Sequence, residues 1–334
     1  MKKIAILGAT GLVGLEVIKI LEQRNFPTKE LFLFTSEKSE GQKIIFKDQE
    51  IEILADYEPL IDKVDLVFGC LDDTFAEDII PKFKEKSVII DNSSVYRLAP
   101  EVPLVIPEIN PESIKEYKGI IANPNCSTIQ MLVPLFPLHK KAKIKRIFVA
   151  TYQSVSGHGR DAVNELKLEF EYLAMDQPIE KFEGHIFPHP IGNNIIPQIG
   201  GFNTEGYTKE EMKMVTETKK ILNDESIQIM ATCVRIPVLY GHSEAVSVEF
   251  ENPISPSEAR EILKNAPGVK LMDKNEDYPM PIHVAGKDEV FVGRIRKDLA
   301  LENGLAMWIV ADNVRKGAAL NAVQIAELLL SRFL

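Results

Sequence analysis

The cysteine at position 126 has the sequence surroundings of a nucleophile. It lies in the run Asn-Pro-Asn-Cys-Ser-Thr at residues 123–128, directly before an apolar stretch at residues 129–135. Asparagine, serine and threonine are helix-capping residues, so Cys126 is expected at the start of a helix. A helix N-terminus stabilises a thiolate, which is the reactive form of cysteine. Cys70 and Cys233 lie in apolar, strand-like runs and are expected to be buried and inert.

A nucleophilic cysteine needs a group that handles protons, and the six histidines supply the candidates. His242 lies in the polar segment at residues 240–244, which is interpreted as a turn between two strands, and His158 lies between two glycines. Either ring could act as a general acid or base, and spacing along the chain does not choose between them. His185 and His189 lie in a proline-rich segment, where a structural or surface role is expected.

Three glycines stand where the chain passes from an apolar first strand into an amphipathic helix. Gly8, Gly11 and Gly14 have the spacing G-x-x-G-x-x-G. Glycines at such positions allow a tight turn, a close approach of backbone to a pyrophosphate and close packing of the helix on the sheet. The helix N-terminus offers N–H groups to the anion. The motif and its placement predict a dinucleotide-binding loop.

The end of the second predicted strand indicates which dinucleotide is bound. An NAD site usually has an acidic residue at this strand tip, but Thr35 and Ser36 stand there, with Lys38 close by. Hydroxyls and a cation suit a 2′-phosphate, so NADP is expected in preference to NAD. Glu37 argues the other way. It is interpreted as a solvated loop carboxylate, and mixed use of both cofactors stays an alternative.

Strand-like and helix-like runs alternate in the first third of the chain. The strand-like runs are residues 3–7, 31–34, 66–68 and 87–90, and a helix is predicted at residues 12–23. Strands that alternate with helices predict a parallel, doubly wound sheet.

The pattern changes after the middle of the chain. Strands are predicted at residues 146–151, 228–238 and 244–250, and helices at 165–173, 257–264 and 316–334. Ser257 is expected to cap the helix at 257–264. Pro134 is expected to kink or end the helix that follows Cys126. The middle region is therefore predicted to be an α+β domain with a mostly antiparallel sheet.

Composition excludes several classes of function. The 334 residues are 45% hydrophobic and 26% charged, as in globular proteins, and the formal net charge is −10. Negative charge argues against binding to nucleic acid or anionic membranes, and no apolar run approaches the roughly 20 residues that span a bilayer. The three cysteines form no metal-spaced pair. We therefore expect a cytoplasmic protein without a metal.

Six blocks, in order along the chain, resemble the aspartate-semialdehyde dehydrogenases. They are residues 8–14, 125–128, 153–157, 235–238, 241–244 and 312–319. The resemblance implies an enzyme that uses NADPH to convert L-aspartyl 4-phosphate to L-aspartate 4-semialdehyde through a cysteine thioester. That reaction belongs to the biosynthesis of lysine, by way of diaminopimelate, and of threonine and methionine.

The resemblance also implies roles for individual residues. Cys126 carries the acyl group, His242 is the acid–base residue and Gln153 orients the thioester. Arg235 binds the substrate carboxylate and Glu210 the substrate amino group. Phosphate binding is implied for Arg97, Lys213 and Asn125. The implied cofactor contacts are Gly8, Thr10, Gly11, Leu12, Val13, Thr35, Ser36, Lys38, Ser156, Gly157 and Asn313.

These observations together predict a two-domain α/β protein. Residues 1–125 with residues 312–334 are expected to form a Rossmann-like NADP-binding domain, to which the C-terminal helix returns. Residues 126–311 are expected to form the α+β catalytic and dimerisation domain. The expected partners are small molecules and a second copy of the chain, as a homodimer or a dimer of dimers.

Two alternative functions stay open. One is another acyl-phosphate reductase, such as N-acetyl-gamma-glutamyl-phosphate reductase; Glu210, Lys213 and the block around Arg235 favour the aspartyl substrate instead. The other is a catalytically inactive, NADP-binding regulatory protein. The joint presence of Cys126, Gln153, Arg235 and His242 argues against it, because an inactive relative need keep none of them.

Overall fold

The computed structural model describes residues 2–184 and 186–332, so His185 and the last two residues of the predicted C-terminal helix lie outside the described residues. The chain divides into two compact units. Unit 1 runs to Asn125 and resumes at Ala318, and unit 2 is Cys126–Gly317. The second boundary therefore lies later than the expected position 312, because the turn after Asp312 closes within unit 2: Gly317 N donates to Asp312 O at 3.1 Å.

A doubly wound sheet forms the centre of unit 1, as predicted. Its strands are β1 (Lys2–Leu7), β2 (Thr28–Phe34), β3 (Lys43–Phe46), β4 (Gln49–Leu54), β5 (Leu66–Gly69), β6 (Val88–Asp91) and β7 (Ile120–Ala122). They lie in the order β3-β4-β2-β1-β5-β6-β7. All neighbours are parallel except the β3–β4 hairpin at one edge. In such a sheet the carboxyl ends of β1, β2 and β5 meet at one edge, where ligands bind.

The α-helices are numbered in chain order across both units. They are α1 (Leu12–Gln23), α2 (Asp73–Phe83), α3 (Cys126–Ala142), α4 (Arg160–Ala174), α5 (Lys209–Leu222), α6 (Pro256–Lys264), α7 (Pro281–Val284) and α8 (Leu320–Arg332). None of the helices in the part of the chain that the structure describes is long and apolar enough to cross a membrane.

The C-terminal helix α8 completes the core of unit 1. Its buried apolar residues, among them Val323, pack in one cluster with buried residues of α1 such as Val17 and with the strands. Arg24, just after α1, donates two hydrogen bonds of 2.7 and 2.8 Å to the carboxylate of Glu327 in α8. The helix begins only at Leu320, because a wider π-helical turn at Arg315–Ala319 precedes it.

Unit 2 is built on a mixed, mostly antiparallel sheet, as predicted. Its strands are β8 (Ile144–Gln153), β9 (Gln228–Arg235), β10 (His242–Phe250), β11 (Val269–Leu271), β12 (Val290–Lys297) and β13 (Gly304–Ala311), in the order β11-β12-β13-β10-β8-β9. The pairs β10–β13, β10–β8 and β12–β13 are antiparallel. The pairs β8–β9 and β11–β12 are parallel.

The two faces of this sheet differ in burial. One face, with Val149, Val246 and Ile309, is buried beneath helices that include α3. On the other face, Phe148 and Met230 are 41% and 44% exposed. Large apolar side chains exposed together on a sheet face are typical of interaction surfaces.

Two local predictions were wrong, and one of the two alternatives for Pro134, that it ends the helix, was excluded. The N-cap of α6 is Ser255, not Ser257: the Ser255 side chain accepts from Glu258 N, and Pro256 at the first helical position is pre-set for the helix. Helix α3 continues through Pro134 to Ala142, so the proline does not end it. His242 does not lie in a turn but is the buried first residue of β10.

Candidate active site

The ends of three neighbouring strands bring the predicted polar residues of unit 2 together. Gln153 is the last residue of β8 and lies opposite Arg235, the last residue of β9, in parallel register. His242 begins β10, which runs antiparallel to β8, so it starts at the same edge. All three side chains are almost completely buried. A charged arginine in such a place requires compensating charge or hydrogen bonds.

Cys126 is the first residue of α3, as predicted from its capping sequence. The electrostatics of Arg235 show that the two residues are close enough to interact. Burial lowers the pKa of Arg235, while the negative charges of Glu210 and Cys126 raise it. A guanidinium near the thiolate and the positive end of a 17-residue helix both favour the charged, nucleophilic form of the cysteine.

Arg235 is held from two sides. Its Nη1 donates to the carbonyl oxygen of Ser154 at 2.7 Å. Its guanidinium carbon lies 5.7 Å from the ring centroid of Phe187, which stacks in turn against His158 at 5.4 Å. Gly157 leaves open the space beside it: a β-carbon there would lie 3.0 Å from Arg235 Nη1 and 3.2 Å from His242 Nε2. A side chain at position 157 would therefore crowd both Arg235 and His242.

Glu210 lies in the first turn of α5 and links two other predicted residues. Its Oε1 accepts from Gln153 Nε2 at 3.2 Å, and its Oε2 lies 3.4 Å from Lys213 Nζ. Gln153 Nε2 also donates to Thr151 Oγ1 at 3.3 Å. Glu210 is buried, while Lys213 is partly exposed. A buried carboxylate beside a partly exposed ammonium can bind both a cationic and an anionic group of a ligand.

The two ring nitrogens of His242 have different surroundings. Nδ1 accepts from the backbone N of Ser154 at 3.0 Å. Nε2 is buried and has no hydrogen-bond partner among the described residues. Burial and the nearby Arg235 charge lower the pKa of His242 to about 3, although Glu210 acts to raise it. The imidazole is therefore neutral at physiological pH. His158, by contrast, is exposed and stacks on Phe187.

Asn313 forms hydrogen bonds with three residues near His242, of which Ser156 is a predicted cofactor contact like Asn313 itself. Its Oδ1 accepts from Ser156 Oγ at 3.1 Å, from Ser154 Oγ at 3.0 Å and from Gly241 N at 3.0 Å. Its Nδ2 donates to Ser156 Oγ at 3.0 Å. No role was predicted for Ser154 from the sequence, although it lies in the block at residues 153–157 that carries the family resemblance.

Unit 1 contains a cleft of about 800 Å³ at the carboxyl ends of β1, β2 and β5. Among its lining residues are five of the predicted cofactor contacts, namely Gly8, Thr10, Gly11, Thr35 and Ser36. Leu12, Val13 and Lys38 are not among them, and Glu37 and Glu40 are. Tyr57, Leu71, Asp72 and Phe75 also line the cleft and were not foreseen.

The glycine loop is packed too closely against neighbouring backbone to hold side chains at two of its glycines. Gly8 has a φ of +82°, and a β-carbon there would lie 2.2 Å from Cys70 O. A β-carbon on Gly14 would lie 2.3 Å from Gly8 O. Both side chains must therefore be absent, and α1 begins immediately after Gly11. A helix N-terminus at the end of a glycine loop is the arrangement that binds the pyrophosphate of a dinucleotide.

The remaining predicted phosphate-binding residues lie in unit 1. Arg97 is buried, and its Nη2 donates to Asn92 O at 2.8 Å. The Arg97 charge lowers the pKa of the buried Asp91, although desolvation raises that pKa by more. Asn125 is also buried, directly before Cys126. No cluster of three or more His, Cys, Asp or Glu side chains that could hold a metal occurs in residues 2–184 and 186–332.

Comparisons with known proteins give one consistent result. The family described as "Semialdehyde dehydrogenase, NAD binding domain" matches residues 3–117, and "Semialdehyde dehydrogenase, dimerisation domain" matches residues 135–316. The aspartate-semialdehyde dehydrogenase of Aquifex aeolicus is 54% identical over 98% of this chain and 97% of its own length. The Synechocystis enzyme of the same name is 47% identical over 99% and 98%.

The solved structures that resemble this chain are of the same enzyme as these relatives. Aspartate semialdehyde dehydrogenase II from Vibrio cholerae has a TM-score of 0.97 at 45% identity and covers all of both chains, and a second structure of that protein is complexed with ASA. The Candida albicans enzyme, solved with NADP, has a TM-score of 0.76 at 28% identity over 99% of both chains. The chain is therefore an oxidoreductase that belongs to the aspartate-semialdehyde dehydrogenase family.

Proposed function

We propose that this chain reduces L-aspartyl 4-phosphate to L-aspartate 4-semialdehyde, with release of phosphate and with the acyl group carried on Cys126. One observation carries the proposal: Cys126 begins α3 and interacts electrostatically with Arg235, which lies with Gln153 and His242 at one edge of the unit 2 sheet. The structure of the Vibrio cholerae relative complexed with ASA supports the choice of substrate.

Cys126 is the nucleophile in both directions. In reduction, the thiolate attacks the acyl carbon of the aspartyl phosphate, the C–O bond to phosphate breaks, and a thioester forms. Gln153 orients the acyl group, since its amide is held between Glu210 and Thr151. His242 handles the proton at the reacting oxygen, because Nε2 is the ring nitrogen without a partner among the described residues.

Charged residues bind the ends of the substrate. Arg235 holds the α-carboxylate through its planar guanidinium, which can pair with both carboxylate oxygens. Glu210 binds the α-ammonium group. Arg97, Lys213 and Asn125 bind phosphate, an assignment supported by the family resemblance and by the chemistry of two cations and an amide. In this assignment the α-carboxylate is bound by Arg235, and the phosphate is bound by the separate cations Arg97 and Lys213.

The cleft of unit 1 holds NADP in this proposal. Gly8, Thr10, Gly11, Leu12 and Val13 meet the pyrophosphate, the last two through their backbone at the start of α1. Thr35, Ser36 and the exposed side chain of Lys38 meet the 2′-phosphate, while Ser156, Gly157 and Asn313 contact the nicotinamide end. When bound, the nicotinamide donates or accepts the hydride. The NADP-bound Candida relative supports this choice of nucleotide.

A second copy of the chain covers the open face of the unit 2 sheet. This face exposes Phe148 and Met230, and Tyr152 and Trp308 form a ring contact of 5.6 Å on it. The match to a dimerisation domain over residues 135–316 supports a homodimer. We place the enzyme in the cytoplasm, in the biosynthesis of lysine, by way of diaminopimelate, and of threonine and methionine.

One assay tests the proposed reaction. Purified protein is given NADP, phosphate and either aspartate semialdehyde or N-acetylglutamate semialdehyde, and formation of NADPH is followed. Phosphate-dependent reduction of NADP with the first aldehyde alone is expected. Preference for the second aldehyde would identify an N-acetylglutamyl-phosphate reductase, and no turnover of either would favour an inactive NADP-binding protein. Sedimentation of the same sample measures its oligomeric state.

A further inference from the structure

His242 can meet a reacting group through one ring nitrogen only. Nδ1 lies 3.0 Å from the backbone N of Ser154 and 3.0 Å from its Oγ. Nε2 has no hydrogen-bond partner in the part of the chain that the structure describes. It faces the space beside Gly157, where a β-carbon would lie 3.2 Å from it. The atom available to a ligand is therefore Nε2.

The contact with Ser154 determines which nitrogen of His242 carries hydrogen. A backbone N–H can only donate, so Nδ1 must accept, and a neutral imidazole then has its hydrogen on Nε2. Hydrogen on Nδ1 would point at the Ser154 N–H and would leave that buried donor without an acceptor. The geometry thus favours one tautomer of the ring.

The Ser154 hydroxyl lies beside the same nitrogen but does not set the tautomer. Its oxygen is 3.0 Å from His242 Nδ1, 3.0 Å from Asn313 Oδ1 and 3.1 Å from Ser156 Oγ. The one acceptor lone pair of Nδ1 is already used by the backbone N–H of Ser154, so the hydroxyl donates to Asn313 Oδ1. The backbone N–H of Ser154 is therefore the group that determines which ring nitrogen carries hydrogen.

We propose that Ser154 is a positioning residue that holds His242 in the tautomer with hydrogen on Nε2. His242 then donates a hydrogen bond to the reacting carbonyl oxygen through Nε2. The inference rests on the proposed function and specifies how His242 performs its part in it. It narrows the acid–base role expected for this residue to that of a neutral donor.

The charges around His242 are consistent with a neutral ring. Arg235 faces it from β9 and lowers its pKa, Glu210 faces it from α5 and raises it, and burial lowers it most. A negative charge on Cys126 interacts with Arg235, which raises the pKa of that guanidinium.

The addition of Cys126 to the aldehyde balances without proton transfer. The thiolate forms one S–C bond, and the π pair of the carbonyl moves onto the oxygen. That oxyanion accepts a hydrogen bond from Nε2–H, while the hydrogen stays on the nitrogen. Stabilisation of developing negative charge by a fixed neutral donor in a buried site is an efficient form of catalysis.

Nitrogen NMR of the full-length protein without substrate tests the tautomer directly. The His242 signals are assigned by their loss in His242→Gln. We expect a protonated Nε2 and an unprotonated Nδ1, unchanged between about pH 5 and pH 8, where an ordinary histidine titrates. A protonated Nδ1, or a ring that gains charge in that range, would overturn the proposal. Because no substrate is present, this result does not depend on the proposed reaction.

Variants of the two residues test the catalytic consequence. Ser154→Ala keeps the backbone N–H, so the nitrogen spectrum of His242 should show the same tautomer. His242→Gln keeps a donor near Nε2 and should exceed His242→Leu in kcat by about tenfold. Equal loss in the two His242 variants, or a shift of the hydrogen to Nδ1 in Ser154→Ala, would contradict the proposal.

Discussion

Gly317 lies so close to Cys126 that a β-carbon at position 317 would be 2.8 Å from the β-carbon of Cys126 and 3.3 Å from its α-carbon. Real β-carbons do not approach each other so closely, so a side chain at 317 must displace the first residue of α3. The turn that follows Asp312 thus helps to place the proposed nucleophile, although it is far from Cys126 along the chain.

We predict that Gly317→Ala lowers kcat by about 10²-fold, because a shift of roughly 1 Å in a reacting group has an effect of that size. The binding of NADP should be unchanged. Steady-state kinetics and cofactor titration measure the two quantities. Gly201→Ala is the matched control, since a β-carbon there meets nothing within 4 Å. Wild-type kcat in Gly317→Ala would show that the close contact has no catalytic importance.

Cys126 should be the only cysteine that reacts quickly with iodoacetamide near neutral pH. Burial raises the pKa of the Cys70 and Cys233 thiols far above the ordinary value, whereas Cys126 begins a helix. Peptide mass analysis of the alkylated protein identifies the site. Cys126→Ser should retain less than about a hundredth of the wild-type rate, since a serine hydroxyl is a poor nucleophile here. Faster alkylation at Cys70 would contradict the assignment.

Arg235 and Lys213 should affect different substrates. Arg235→Lys keeps the charge but loses the planar pairing with a carboxylate and the bond to Ser154 O, so KM for the semialdehyde should rise about tenfold or more. Lys213→Ala should chiefly raise KM for phosphate. The oxidative reaction is measured with the two substrates varied independently. Unchanged phosphate dependence in Lys213→Ala would remove that residue from the phosphate site.

Lys38→Ala should weaken the binding of NADP and leave the binding of NAD unchanged, because only NADP carries a 2′-phosphate. Lys38 is exposed and lies two residues after Ser36, which lines the cleft. Fluorescence titration with each cofactor measures both affinities. Lys43→Ala is the control, because that lysine pairs with Glu50 on the β3–β4 hairpin. Equal use of the two cofactors by the unmutated protein would contradict the NADP assignment.

Glu244 is a buried carboxyl whose two oxygens have no hydrogen-bond partner among the described residues. Burial raises its pKa well above the ordinary value, so the folded protein holds a proton that the unfolded chain releases above about pH 4.3. Stability from this group is therefore present below that pH and is lost as the pH rises towards the folded-state pKa.

Glu244→Gln should consequently stabilise the protein at pH 7 and have little effect near pH 4, where both side chains are neutral. Urea unfolding at the two pH values measures the difference. Glu249→Gln, on the same strand, is the control with the opposite sign, because Glu249 pairs with Lys145 and Arg146. A loss of stability in Glu244→Gln that is equal at both pH values would show that the carboxyl is not neutral through burial.

Features that depend on a few neighbouring residues could be predicted from the sequence. The bounds of α1 were predicted correctly at Leu12–Gln23, and Cys126 was correctly placed at the start of α3. Apolar spacing, capping residues and glycines that permit a turn all act within one or two helical turns. At α6 the same kind of local rule gave Ser257 as the N-cap and was wrong, because Pro256 takes the first helical position and Ser255 caps the helix.

The geometry of the candidate site was decided by tertiary structure. Gln153, Arg235 and His242 are far apart in the chain and meet because β8, β9 and β10 are neighbours in one sheet. The contact between Ser154 and the Nδ1 of His242, which determines the tautomer, depends on that pairing as well. Capping and periodicity carry no information about strand order, so residue types alone could name the chemical groups but not which nitrogen faces the substrate.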